Sequence, residues 1–259
     1  MKIPIFQIDA FTDQVFSGNP AAVCPLEYWL EDEILQSIAA ENNLSETAFF
    51  VNRGGFYQLR WFTPQTEVDL CGHATLATAY VIMHIITPGL NEVKFGSPCG
   101  ELIVHRNNDL ISMDFPAHPP EKCEIPENLL NGLSQKPMEV LASNYYLAVY
   151  ESEQEVRELS PYMHSLKELD RLGVIVTARG TDTDFVSRFF APAVGIPEDP
   201  VTGSAHCTLI PYWSNLLDKK KLIARQISHR GGDLFCEFRN NRVIIAGKAT
   251  LYLEGTIKI

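Results

Sequence analysis

Several common signatures are missing from this sequence, and their absence narrows it first. No two of its 16 glycines are separated by a single residue, so the G-x-G-x-x-G dinucleotide fingerprint is absent. No G-x-x-x-x-G-K-[ST] phosphate loop occurs, and neither H-E-x-x-H nor G-x-S-x-G is present. The six cysteines contain no C-x-x-C pair. Cys71 and His73 make a lone C-x-H, a poor spacing for structural zinc without a second pair nearby. The expectation is no metal and no cofactor, or a cofactor site without a local signature.

Basic charge is also scarce. Lys and Arg number 21 against 32 Asp and Glu, for a net charge of −11. That balance argues against general nucleic-acid binding, which needs a basic footprint. The run Lys219, Lys220, Lys221 follows Asp218 and reads as a solvated turn. Long hydrophobic runs are missing too. The most apolar stretch, Ala74 to Ile86, carries His84 and is too short to cross ~30 Å of hydrocarbon as a helix. The N-terminus reaches Asp9 before any apolar core develops, so no secretory signal is expected. Scattered cysteines in such a chain are expected to be reduced, and the expected compartment is the cytoplasm.

What remains is ordinary for a globular protein: 46% hydrophobic, 20% charged, with 16 prolines. A length of 259 residues suits one large domain or two modest ones, at ~100–200 residues each. The chain also repeats itself. Arg60-Trp61-Phe62-Thr63-Pro64 returns as Arg188-Phe189-Phe190-Ala191-Pro192. A helical pattern precedes each copy, over Glu27 to Ala39 and over Ser160 to Leu172. A strand follows each helix, Thr47 to Val51 and Val174 to Val176. After each copy comes an acidic loop and then a small-residue helix start. These are Glu67 to Thr75, through Cys71-Gly72-His73, and Glu198 to His206, through Thr202-Gly203-Ser204.

The helices that follow are apolar nearly all round and therefore buried. Pro211 is expected to kink or loosen the second. Many short strands fill the rest. The pattern predicts an α+β chain of two similar halves, each a mostly antiparallel curved sheet around one buried helix. The halves are expected at 1–117 and 118–259, joined through the Pro-rich stretch 116–137. The last strand, near 256–259, is expected to return to the first half.

A helix N-terminus offers free N–H groups and partial positive charge, so two such ends facing one cleft would hold a carboxylate. Gly72 and Gly203 would let a ligand approach the backbone closely. The alternative is two capped core helices. The titratable groups nearby are Glu46, His73, Asp199 and His206. Glu46 stands at the mouth of an apolar strand, where desolvation suits a carboxyl to proton transfer. It also reads as a capping or edge-strand residue. Asp199 before Pro200 reads equally as a helix cap, His73 as a core histidine, and His206 as structural.

These residues carry a resemblance. Ile8-Asp9-Ala10-Phe11-Thr12, Phe16-Ser17-Gly18-Asn19-Pro20-Ala21-Ala22-Val23 and Leu44-Ser45-Glu46-Thr47-Ala48-Phe49 come first. Arg60 to Pro64, Cys71 to Thr75, Arg188 to Pro192, Gly195-Ile196 and Glu198 to Ala205 follow in order. Together they resemble the PhzF-like family of phenazine-biosynthesis isomerases and relatives, with the diaminopimelate epimerase fold.

The resemblance implies two pseudo-symmetric domains with the site between them, a dimer, and proton-transfer isomerisation of a small carboxylate without metal or organic cofactor. The family's phenazine enzyme isomerises trans-2,3-dihydro-3-hydroxyanthranilate. Carried over, Glu46 is the proton carrier, with His73 and Asp199 assisting. Ser45, Gly72, Gly203 and Ser204 bind substrate. Related racemases use two opposed cysteines. Here Cys71 matches the first, but Thr202 stands where the second belongs. A hydroxyl cannot serve as that thiolate at neutral pH, which disfavours two-thiol chemistry. A non-catalytic member that binds a small molecule or a protein is the remaining alternative.

Overall fold

The structure, a computed structural model, describes residues 1–259. The chain forms two compact units. One is Met1–Asp114 with Ala246–Ile259, and the other is Phe115–Ile245. Strands β1 Lys2–Ala10, β2 Asn19–Leu26, β3 Glu46–Asn52, β4 Phe56–Phe62, β5 Glu67–Val68, β6 Glu92–Ser97, β7 Gly100–Asn107 and β8 Leu110–Pro116 come first. Then follow β9 Glu121–Lys122, β10 Glu139–Ala142, β11 Tyr146–Val149, β12 Val174–Arg179, β13 Phe185–Ala191, β14 Ile196–Asp199, β15 Lys221–Gln226, β16 Gly232–Arg239, β17 Arg242–Gly247 and β18 Ala249–Lys258. The helices are α1 Asp32–Asn42, α2 Gly72–Tyr80, α3 Glu127–Gly132, α4 Glu153–Glu158, α5 Met163–Lys167 and α6 Gly203–Leu217. No helix is long and apolar enough to cross a membrane.

The two units share one topology. In the first, β18 pairs with β1, β1 with β2, β3 with β4, and β6 with β7, all antiparallel; β2–β3 and β4–β6 are parallel. In the second, β9 pairs with β10, β10 with β11, β12 with β13, and β15 with β16, all antiparallel; β11–β12 and β13–β15 are parallel. The fold is α+β, the diaminopimelate epimerase-like arrangement of two pseudo-symmetric domains. The buried central helices are α2 and α6. Every residue from His73 to Ala79 is buried, as is most of α6 from Gly203 to Ser214. Such helices take their stability from packing rather than from propensity.

The repeated Arg-aromatic-Phe motif is a strut in each unit. Arg60 grips Glu67 through two contacts of 2.6 and 2.7 Å, and Arg188 grips Glu198 at 2.7 and 3.1 Å. Each guanidinium also lies over an aromatic ring two residues on, Phe62 at 5.1 Å and Phe190 at 4.9 Å. These forked pairs tie the short strands β5 and β14, which lead into the helix starts, to the sheets. The acidic loops are thus anchors at Glu67 and Glu198.

Three sequence expectations change in detail. The first helix runs over Asp32–Asn42 rather than from Glu27, with Asp32 and Glu33 at its positive end and Asn43 closing it at φ 49°. The helix expected over Ser160 to Leu172 shrinks to Met163–Lys167, and Tyr162 before it is extended, its N–H held by the Gly132 carbonyl. The Pro-rich stretch 116–137 is not a bare linker. It contains β9 and α3, and Leu129 and Leu133 are buried in the second unit's core. Pro211 sits inside α6, and the helix runs on past it. The carbonyl that Pro211 cannot reach, that of Cys207, accepts the His118 N–H at 2.9 Å instead.

Candidate active site

In the first unit, β3 and the start of α2 bring Glu46, Cys71 and His73 together. Glu46 is the first residue of β3, beside Ala21 of β2. The residue is 9% exposed, and Oε2 lies 3.0 Å from His73 Nε2. Oε2 is sealed from solvent, and no donor meets it in aligned hydrogen-bond geometry, so the contact is that of an ion pair. His73 Nδ1 lies 3.2 Å from the Asn19 amide and 3.5 Å from Cys71 Sγ. Ser45 precedes Glu46 directly and is half-buried, as is Gly72 at the first turn of α2.

Cys71 is the N-cap of α2, and its side chain makes no capping bond to the first-turn amides. Those amides and the helix dipole are the natural partners of an anion.

Burial pulls the His73 imidazolium down, but the Cys71 and Glu46 charges and contacts outweigh it and hold it well above the usual histidine range. Burial, with the Glu46 charge next, pushes the Cys71 thiol up to about 11. The thiol is therefore neutral near pH 7, which leaves the Glu46 carboxylate as the charge that supports a protonated His73. The arrangement is a buried carboxylate beside a buried imidazole that it favours in the protonated form, with a neutral thiol next to both.

In the second unit, Asp199, Thr202, Gly203 and Ser204 surround the start of α6. Thr202 is its N-cap, and here too the side chain makes no capping bond. Its hydroxyl donates instead to Asp199 Oδ2 at 2.5 Å. Gln226 is fully buried and clamps this corner. It accepts the Thr202 N–H at 2.9 Å and donates to the Asp199 carbonyl at 2.7 Å. Ser204 Oγ meets Tyr145 Oη at 3.0 Å. His206 is buried, with Nδ1 on the Thr202 carbonyl at 2.8 Å, and burial pushes it down to about 4. It is a neutral structural residue. Asn19, Tyr145 and Gln226 were not assigned a part from sequence. Each reaches its partner from 54, 59 and 24 residues away, a separation that carries no local pattern.

The strand registers align the two halves residue by residue. Thr47 faces Phe62 in the first unit and Val174 faces Phe190 in the second, so Gly173 stands where Glu46 stands. A Cβ on Gly173 would lie 2.6 Å from the Phe189 ring and 2.8 Å from the Phe190 carbonyl. The second half therefore has no room for a carboxylate at that position. Matching the two helix starts, Gly72 with Gly203, sets Thr202 against Cys71 and Ser204 against His73. The duplicated scaffold carries one buried carboxylate–imidazole pair, in one half only.

This duplicated fold has known counterparts. The family model described as "Phenazine biosynthesis-like protein" matches residues 8–255, and the chain belongs to that family. It is 54% identical to an "uncharacterized isomerase" of Pseudomonas aeruginosa across the full length of both chains. A crystal structure of a phenazine biosynthesis PhzF-family protein from Enterococcus faecalis superposes with a TM-score of 0.97 at 46% identity, each chain covered completely. A hydroxyproline epimerase from Agrobacterium vitis shares the fold at a TM-score of 0.64 and 8% identity, over 99% of this chain and 92% of its own. The chain is an isomerase-like member of the PhzF family.

Proposed function

We propose that this chain is an isomerase that moves a proton between two carbons of a small carboxylate-bearing substrate without a metal or organic cofactor. The observation that carries the reading is the Glu46–His73 pair, buried, 3.0 Å apart, and present in one half of the duplicated scaffold. One carboxylate that removes a proton and returns it elsewhere needs no counterpart in the second half. Glu46 takes the proton from the substrate carbon as general base and returns it as general acid. Protonated His73 offsets the negative charge that spreads over the substrate once that proton has left. The uncapped start of α2 at Gly72 and, in the second unit, Gly203 and Ser204 at the start of α6 supply donors for a carboxylate. Ser45 is assigned to substrate binding beside Glu46. Asp199 is assigned an orienting part, its own place secured by Thr202 and Gln226.

A substrate like trans-2,3-dihydro-3-hydroxyanthranilate fits this class. The reading extends to a cytoplasmic homodimer with no nucleic-acid partner. The two-thiol racemase reading fits less well. Cys71 is a neutral thiol, and its counterpart Thr202 commits its hydroxyl to Asp199. The thiol that follows Thr202 along α6, Cys207, is buried and pushed up to about 12 by that burial.

The test is a screen of cyclic and unsaturated carboxylates in D₂O, read by NMR for a shifted double bond and a deuteron at a new carbon. Glu46→Gln should slow any turnover found by ~10²–10⁴, the usual worth of general acid–base catalysis. Unchanged turnover in that variant would refute the assignment.

A further inference from the structure

Glu46, Cys71 and His73 differ in chemistry, yet each presents a donor atom to the same small buried volume. We propose that this trio is an inhibitory binding site for a borderline divalent ion such as Zn²⁺, held by Glu46 Oε2, Cys71 Sγ and His73 Nε2. This goes beyond the proton-transfer reading, and the binding step does not depend on it.

The geometry is close to what the ion needs. One donor atom from each of the three residues lies within 4.8 Å of the other two. Nε2 is 3.0 Å from Oε2 and 4.0 Å from Sγ. Tetrahedral zinc with bonds of ~2.0–2.3 Å sets its ligands roughly 3.3–3.6 Å apart. Closure on an ion therefore takes side-chain shifts on the order of 1 Å at most. Oε2 is sealed from solvent and has no aligned hydrogen-bond donor in the protein, so an acceptor already points into the site. The mixture of thiolate, imidazole and carboxylate selects a borderline ion over Mg²⁺ or Ca²⁺, which prefer oxygen alone.

Charge agrees as well. A dication with one thiolate, one carboxylate and one neutral imidazole sums to zero, the condition under which an ion is tolerated in a buried site. The thiol and imidazole protons leave to solvent as the ion enters. His73 also has the outer partner that ligating histidines keep. The Asn19 amide holds Nδ1 at 3.2 Å. By turning over, that amide offers oxygen to a protonated Nδ1 or nitrogen to a bare one. The sequence concealed the trio because Cys-x-His is only half of a metal motif, and its third ligand lies on another strand.

Bound there, the ion would occupy Glu46 and His73 together and so block proton transfer. The test is titration of the full-length, reduced, metal-free protein with Co²⁺, followed by absorbance. A thiolate-to-cobalt charge-transfer band should saturate at one equivalent, and Zn²⁺ should bleach it. Cys99→Ser, which removes the exposed thiol, should leave the band intact. Cys71→Ser should abolish it. Glu46→Gln should keep the thiolate band but bind at least ~10–100-fold more weakly, the range seen when even an outer partner is lost. Glu46→Gln keeps the inference testable should Cys71→Ser fail to fold. A band that survives in Cys71→Ser, an unchanged affinity in Glu46→Gln, or no band in the wild type at saturating Co²⁺ would each overturn it. No readout involves turnover, so failure of the isomerase reading would leave this result standing.

Discussion

Acid should destabilise this protein through one imidazole in the second unit's core. His206 lies fully buried in α6, hydrogen-bonded by Nδ1 to the Thr202 carbonyl, with the Phe185 ring 5.9 Å away. Burial holds it down at about 4 against an ordinary 6.5, and the Thr202 carbonyl opposes that only in part. The unfolded chain therefore takes up a proton near pH 6.5 that the folded chain refuses until about pH 4. Stability is complete above pH 6.5 and falls as pH drops through that window. The shift of about 2.5 units corresponds to a loss of about 3 kcal/mol. That is a large share of the ~5–15 kcal/mol typical of a folded protein. His73 adds no slope there. Its raised value makes its contribution complete below pH 6.5 and loses it only as pH rises. The carboxylates held low by Lys248, Thr181 and Arg239, namely Asp13, Glu153 and Glu237, lose their contributions at still lower pH. His84 is also lowered, and comparison with a His206 variant cancels its share. The assay is urea denaturation of wild type and His206→Asn between pH 7 and pH 4.5. Asn keeps a donor for the Thr202 carbonyl and does not titrate. Wild type should lose stability steeply, and the variant, although weaker at neutral pH, should lose far less. Parallel pH profiles would refute the reasoning.

Further outcomes follow from packing and exposure. Gly173→Ala should destabilise the protein by ~1–3 kcal/mol, because its Cβ would press on Phe189 and on the Phe190 backbone; a midpoint shift in chemical denaturation measures it. A disulfide reagent should modify Cys99 rapidly in the folded state and reach all six thiols only after denaturation, with Cys99→Ser removing the fast phase. Tyr145→Phe should cost about 0.5–1.5 kcal/mol through loss of the hydrogen bond to Ser204, read in the same denaturation experiment.

The fold was legible where a local pattern spoke for it. The Arg-aromatic-Phe motif marked the same strut in both halves, and the small-residue runs at Gly72 and Gly203 marked the two central helix starts. Legibility failed where tertiary contacts override local pattern. The Ser160 to Leu172 segment has helical spacing, but its backbone bonds to α3 and leaves one short helix. Prolines between 116 and 137 suggested a linker, whereas Leu129 and Leu133 draw that stretch into the core. At the site, Glu46 and His73 each read equally as structural residues by themselves, and the resemblance is what singled them out. The clamp of Gln226 on Thr202 and the contact of Asn19 with His73 depend on partners far along the chain. The pairing of Gly173 with the place of Glu46 needed strand register, which sequence alone does not show.

The central claim is that one carboxylate, Glu46, carries the proton and that Cys71 does not. Deuterium uptake from D₂O into a turned-over carboxylate substrate tests it most directly, in wild type, Glu46→Gln and Cys71→Ser side by side. The account predicts uptake at the product carbon by wild type and a fall of ~10²–10⁴ in Glu46→Gln with substrate binding largely kept. It predicts a much smaller change in Cys71→Ser, since that thiol is neutral and the matching place in the second half holds Thr202. Full exchange in Glu46→Gln beside a dead Cys71→Ser would contradict the account and assign the chemistry to the thiol.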